Sequence, residues 1–318
     1  MPGPRQRESE KDFVRVRKVN QNMKKETIFT GSGVAIVTPF TKDGIDFDKL
    51  AELIDWQIEN GTDAIIICGT TGESATMPDD EHLAAIAYTV ERVNGRVPVI
   101  AGAGSNDTRH GIELSKESEA LGADALLHVT PYYNKATQKG LYEHFKAIAE
   151  SVDIPIVLYN VPSRTGVSIA LDTLGKLADL PNIAAIKEAS GSLSAATDII
   201  AKYGDKIDVY SGNDDIILPM LSVGSKGVIS VLANIAPKET HQMCQSFFEG
   251  DIETSRKMQL KAAELNHALF CEVNPIPVKT ALNLMGKEVG PLRLPLCSME
   301  EKNLEILKKA LKNYGLLS

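Results

Sequence analysis

A lysine interrupts the apolar run Ile183-Ala-Ala-Ile-Lys187-Glu-Ala-Ser190. An ammonium in such a run must reach solvent, find a carboxylate, or shed its proton. The first two outcomes make an ordinary ion pair. The third makes a nucleophile that condenses with a ketone to form a Schiff base. Other reactive residue types stand at the ends of neighbouring apolar runs. Cys68-Gly-Thr-Thr-Gly-Glu-Ser74 sets two hydroxyls, Thr70 and Thr71, between glycines that let backbone N–H groups approach a small anion. Thr130-Pro-Tyr-Tyr-Asn134 and Leu158-Tyr-Asn-Val-Pro-Ser-Arg-Thr-Gly166 supply Tyr132, Tyr133 and Tyr159, three of only eight tyrosines, together with Arg164. A phenol can pack or relay a proton, and a guanidinium can sit in water or clamp a carboxylate. One such residue signifies little; a lysine, several phenols, two threonines and an arginine at strand ends exceed what packing requires.

Competing motifs fail on their chemistry. No Gly-Lys-Ser/Thr follows the Gly-Thr-Thr-Gly loop, so it is no phosphate-binding P-loop, and Gly72-Glu-Ser74-Ala-Thr76 lacks the closing glycine of a nucleophile elbow. Gly102-Ala-Gly104 is followed by Asp107 where a dinucleotide fingerprint needs a small residue. The six histidines and four cysteines (Cys68, Cys244, Cys271, Cys297) show no metal-ligand spacing, so no metal is expected, and the thiols read as reduced and cytosolic.

The elements that must position these residues recur regularly. Short runs at Val34–Val37, Ala64–Cys68, Val97–Ala101, Ala125–Val129, Ile156–Tyr159, Ile183–Ile186, Asp208–Tyr210 and Gly227–Val231 are apolar at both parities, as strands buried on both faces should be. Helical patterns alternate with them. Phe47, Leu50, Leu53 and Ile54 share a face that stops at Gly61, Pro78-Asp-Asp-Glu opens a second helix, and Asn106-Asp-Thr opens a third that ends at Gly122. Eight strand–helix units favour a closed (β/α)8 TIM barrel over an open doubly wound sheet. The expected organisation is a disordered N-terminal extension over 1–27, a barrel over 28–250 and a C-terminal helical region over 251–318. Its helical stretches fall near 251–269, 275–285 and 299–313, too few for a second core.

The first 22 residues carry six basic and three acidic side chains with no apolar stretch, which reads as an unordered tail rather than a signal peptide, with Met23 as an alternative start. Over all 318 residues, 34 Lys+Arg against 42 Asp+Glu give a net charge of −8, the wrong sign for a general nucleic-acid binder. No apolar run is long enough for a membrane span. Hydrophobic residues at 43% and charged residues at 24% fit a soluble globular chain.

Gly69-Thr-Thr-Gly-Glu-Ser74, Tyr159-Asn-Val-Pro-Ser-Arg-Thr-Gly166 and Ile186-Lys-Glu-Ala-Ser190 together resemble the dihydrodipicolinate synthase family of class I, Schiff-base aldolase barrels. The resemblance covers roughly residues 28–318. The lysine and first tyrosine are common to the superfamily, including N-acetylneuraminate lyase. Arg164 and the second threonine of the loop resemble the synthases. It implies a metal- and cofactor-independent enzyme of diaminopimelate and lysine biosynthesis, cytoplasmic, with pyruvate and L-aspartate 4-semialdehyde as substrates. By position, Lys187 would be the Schiff-base lysine, and Tyr159, Thr70 and Tyr133 the proton relay. Thr71 would hold pyruvate's carboxylate, Arg164 the aldehyde's carboxylate, and Gly212 and Ile229 would shape the pyruvate pocket. Tyr133 would reach into a neighbouring subunit's site, within a homotetramer built as a dimer of dimers. An allosteric lysine cleft would comprise Ser74, Ala75, Asp79, His82, Asn106, His110 and Tyr132. Lysine-sensitive members carry a histidine at position 79 and a glutamate at 110. The change to Asp79 and His110 removes the partner of the effector's ammonium, so feedback is expected to be weak or absent. Two other readings share these residues: a lyase cleaving a longer keto acid, and a non-catalytic paralogue that uses the barrel to bind a small acid or a protein partner.

Overall fold

The computed structural model describes residues 25–318; residues 1–24 of the expected extension lie outside the described residues. Its last residues touch the body, since Lys25 Nζ donates to the Ala178 and Ile183 carbonyls. Eight parallel strands close a barrel in sequence order: β1 (Gly31–Ala35), β2 (Ala64–Ile67), β3 (Val99–Gly102), β4 (Ala125–Val129), β5 (Ile156–Asn160), β6 (Ile183–Glu188), β7 (Asp208–Ser211) and β8 (Gly227–Ser230). β1 pairs with β8 to close the ring. That seam needs glycine, because a Cβ on Gly227 would lie 1.9 Å from the Gly31 carbonyl oxygen. β1 starts three residues ahead of the expected Val34. Gly31-Ser-Gly33 has turn-like composition, and only the seam's close backbone approach makes it strand.

Strand residues alternate between two apolar layers. Ala64, Ile66, Val157, Tyr159, Ala185, Tyr210 and Ile229 fill the barrel interior. Ile65, Ile67, Ile156, Leu158 and Ile186 face the surrounding helices. Both faces are dry, which is why the strands read as unbroken apolar runs. Phe29 stacks on Tyr210 with centroids 4.3 Å apart, filling the interior ahead of β1.

The helices begin where the sequence places capping residues. Asp46 caps Phe47–Glu59 by accepting from the Lys49 amide, and Asp107 caps Thr108–Ala120 by accepting from that of Arg109. Beyond the last barrel helix, Pro237–Phe248, the chain forms Ile252–Lys261, Ala263–Leu269, Ile276–Leu284 and Glu301–Tyr314. These follow the three expected stretches, the first divided in two after Lys261. Gln259 ties this region to the loop after β7, accepting from the Leu218 amide and donating to the Asp214 carbonyl. Among the described residues, no helix is long and apolar enough to cross a membrane.

Candidate active site

Side chains at alternate positions of a barrel strand point inward, so Lys187 shares the interior parity of Ala185, and Tyr159 that of Val157. Tyr159 and Lys187 are register partners across β5 and β6. Lys187 Nζ lies 4.5 Å from the Tyr159 ring centroid. Lys187 is 6% exposed, and burial lowers its pKa to about 8. The Asp214 carboxylate pulls the other way, and the Arg164 guanidinium adds to the depression. Burial raises the Tyr159 phenol, countered by Arg164 and by a hydrogen bond with Thr70. An amine with a lowered pKa and a phenol with a raised one therefore stand together in one pocket.

The pocket is a cavity of about 190 Å³ at the mouth of the barrel. Thr70, Thr71, Tyr159, Arg164, Lys187 and Gly212 all line it. Gly212 follows β7 and leaves room, since a Cβ there would sit 2.4 Å from that of Ala189. Arg164 extends from the turn Pro162–Thr165, and its Nη2 donates to the Asn274 carbonyl at 3.1 Å. Asn274 is part of the lining and comes from the C-terminal region. Its Nδ2 donates to Thr71 Oγ1 at 3.0 Å.

Two expected residues stand apart from the lining. Ile229 belongs to the interior cluster with Tyr159 and Tyr210, while Val231, two residues on, lines the cavity. Tyr133 is 93% exposed, with φ of 68°. That left-handed conformation is unfavourable for a bulky side chain, and it directs the phenol into solvent.

The residues expected in a lysine cleft gather on one surface beside the barrel mouth. His110 Nε2 lies 3.0 Å from Asp79, and its Nδ1 lies 3.1 Å from Ser105 Oγ. Asn106 donates to the Tyr132 carbonyl. Ser74 and Ala75 lead into the helix Asp79–Val93. His82 lies beneath, buried, with Nε2 2.7 Å from the Gly102 carbonyl; burial lowers its pKa.

Sequence reasoning missed Asn274 and the buried Asp214, whose Oδ2 accepts from the Val231 and Leu232 amides. Asn274 follows the helix Ala263–Leu269, so a search along strand ends passes it by; the only local hint was an Asn-Pro turn signal. Among the described residues, no group of three His, Cys, Asp or Glu could hold a metal ion.

A family model described as the Dihydrodipicolinate synthetase family matches residues 28–314. A curated 4-hydroxy-tetrahydrodipicolinate synthase from Acetivibrio thermocellus is 61% identical over 92% of this chain and 100% of its own. The crystal structure of dihydrodipicolinate synthase from Aquifex aeolicus superposes with a TM-score of 0.89 at 45% identity, covering 91% of this chain and 99% of that one. The enzyme from Cyanidioschyzon merolae, solved with lysine bound, superposes with a TM-score of 0.88 at 42% identity, covering 92% and 100%.

Proposed function

The chain belongs to the dihydrodipicolinate synthetase family, and on that premise we propose that it is a 4-hydroxy-tetrahydrodipicolinate synthase. It condenses pyruvate with L-aspartate 4-semialdehyde through a Schiff base on Lys187. The observation that carries this reading is the buried lysine amine, its pKa lowered to about 8, beside a register-paired tyrosine in a cavity rimmed by Thr70, Thr71 and Arg164.

The free amine of Lys187 adds to the ketone carbon of pyruvate, and loss of water leaves a protonated imine. Thr71 and the neighbouring backbone hold the pyruvate carboxylate. The imine draws electrons from the methyl group, a methyl proton leaves, and the resulting enamine carbon attacks the aldehyde. Tyr159 is the proton donor and acceptor closest to these steps, linked to Thr70. The amine of the second substrate then adds to the imine carbon and expels Lys187, closing a six-membered ring. One water is lost over the whole condensation. Arg164, exposed at the rim, receives the carboxylate of the aldehyde in its planar fork.

Tyr133 completes the relay from a neighbouring copy of the chain. A phenol held outward on strained backbone, away from its own cavity, suits a site across an interface, in a homotetramer arranged as a dimer of dimers. On the lysine-cleft surface, His110 lies against the Asp79 carboxylate, and position 110 itself offers an imidazole and no carboxylate to an effector's ammonium. Free lysine therefore inhibits weakly, and a sub-millimolar inhibition constant would contradict this.

The decisive test is borohydride reduction in the presence of pyruvate, followed by peptide mass spectrometry. The expected result is one adduct, on Lys187, with a trapping rate that rises with pH through about 8 as the amine loses its proton. An unmodified Lys187 would refute the Schiff-base mechanism. Turnover of pyruvate with aspartate semialdehyde, but not cleavage of longer keto acids, separates a synthase from a lyase.

A further inference from the structure

The loop that carries Thr70 and Thr71 lies between two non-glycine residues in left-handed backbone, Cys68 at φ 55° and Glu73 at φ 58°. Such a conformation is unfavourable for a residue with a Cβ and persists only where surrounding contacts impose it. Within the loop, the Gly72 and Glu73 amides donate to the Gly69 and Thr70 carbonyls, and Thr38 Oγ1 donates to the Gly72 carbonyl. A further hold comes from the far end of the chain. Glu73 Oε1 accepts from Lys279 Nζ at 2.7 Å, and Oε2 accepts from the Arg293 amide at 3.0 Å. Lys279 also donates to the Pro291 carbonyl, and Arg293 Nη1 donates to the Thr76 carbonyl just past the loop. The Glu73 and Lys279 side chains are each 1% exposed, and neither residue lines the cavity. A buried ion pair is a poor way to stabilise a fold, because apolar side chains of similar volume often do as well or better. Its advantage is directional: a carboxylate held through both oxygens fixes the backbone that bears it.

We propose that Glu73 and Lys279 are positioning residues that clamp the Gly-Thr-Thr-Gly loop in its strained form, so that Thr71 stands where the carboxylate of a 2-oxo acid must bind. The proposal rests on the reading of Lys187 and Thr71 given above. Neither member of the pair touches the substrate; both act through the backbone that joins Glu73 to Thr71. The C-terminal region thus sets the geometry of a loop built by β2, from below through Lys279 and from the side through the bond of Asn274 to Thr71.

The test is borohydride trapping of pyruvate on Lys187, read as the half-saturating pyruvate concentration and the rate at saturation. Glu73→Gln combined with Lys279→Met removes both charges together, so no buried ion is left unpaired. The half-saturating concentration should rise about tenfold or more, as when a well-placed hydrogen bond to a charged group is lost. The rate at saturation should fall by a smaller factor, because Lys187 keeps its own surroundings. A pair that served stability alone would lower the amount of folded protein and leave the half-saturating concentration at the parent's value. That result, or a fall confined to the saturated rate, would overturn the proposal. Should the double variant not fold, Glu73→Asp carries the test. Its carboxylate remains but is one methylene shorter, and it meets Lys279 only by drawing the loop with it. The half-saturating concentration should again rise, and an unchanged value would overturn the proposal. Absence of trapping in the parent itself would instead refute the Schiff-base reading on which the proposal stands.

Discussion

Two buried lysines face opposite fates in this molecule. Lys187, at the barrel mouth, has no carboxylate within ion-pair distance among the described residues; its Nζ lies 4.5 Å from the Tyr159 ring centroid. Lys279, on the helix Ile276–Leu284, lies 2.7 Å from Glu73, and both side chains are 1% exposed. Lys279 Nζ also donates to the Pro291 carbonyl and sits over the Phe40 ring. Glu73 in turn accepts from the Arg293 amide, and Arg293 pairs with Glu81. Burial lowers the pKa of both lysines, and at Lys279 the adjacent Glu73 carboxylate offsets part of that lowering at contact distance. Burial alone therefore does not make a reactive amine. The distinguishing feature is whether the fold provides a counter-charge at contact distance.

The largest expected effect that would break this contrast is on catalysis. Lys187→Met should abolish turnover and pyruvate trapping, while Lys279→Met should keep Lys187 trappable in whatever fraction folds. Steady-state assay and trapping of both variants check this. Next comes stability. Lys279→Met leaves Glu73 buried and unpaired, which should cost about 3–5 kcal/mol in chemical denaturation. Adding Glu73→Gln should recover part of that loss.

The smallest effect has the opposite sign. In the folded chain Lys187 binds its proton less tightly than an exposed lysine, so protons favour the unfolded state. A shift from 10.5 to about 8 costs the parent about 3 kcal/mol at neutral pH. Lys187→Met should remove that penalty, less any packing mismatch, and be more stable than the parent. The advantage should be complete below pH 8 and fade as the pH rises towards 10.5. A variant less stable than the parent at every pH would show that Lys187 is held by contacts of the structural kind.

The same contrast explains what was legible in the sequence. Lys187 was visible because a charge breaks an apolar run whose strand pairing and parity are set locally. The eight strands were visible because both faces of each are dry. β1 was displaced because its glycines look like a turn until β8 closes against them. Lys279 and Asn274 were not legible. Their partners Glu73 and Thr71 lie 206 and 203 positions away, and nothing in an amphipathic helix or an Asn-Pro turn specifies so distant a contact. The C-terminal stretches read only as helices too few for a second core, yet Phe270 and Asn274, between two of them, supply part of the cavity wall. The exposure of Tyr133 was equally hidden, because backbone strain in a loop has no compositional signature beyond its neighbours.

The bridge from Thr71 to Asn274 also sets an order of events at the ribosome. A nascent chain can pair all its strands once Ser230 has emerged, but the Thr71 hydroxyl is still unheld and the Glu73 carboxylate lacks its cation until the later helices follow. Activity should therefore be among the last properties that a newly made chain acquires, after its barrel topology is already decided.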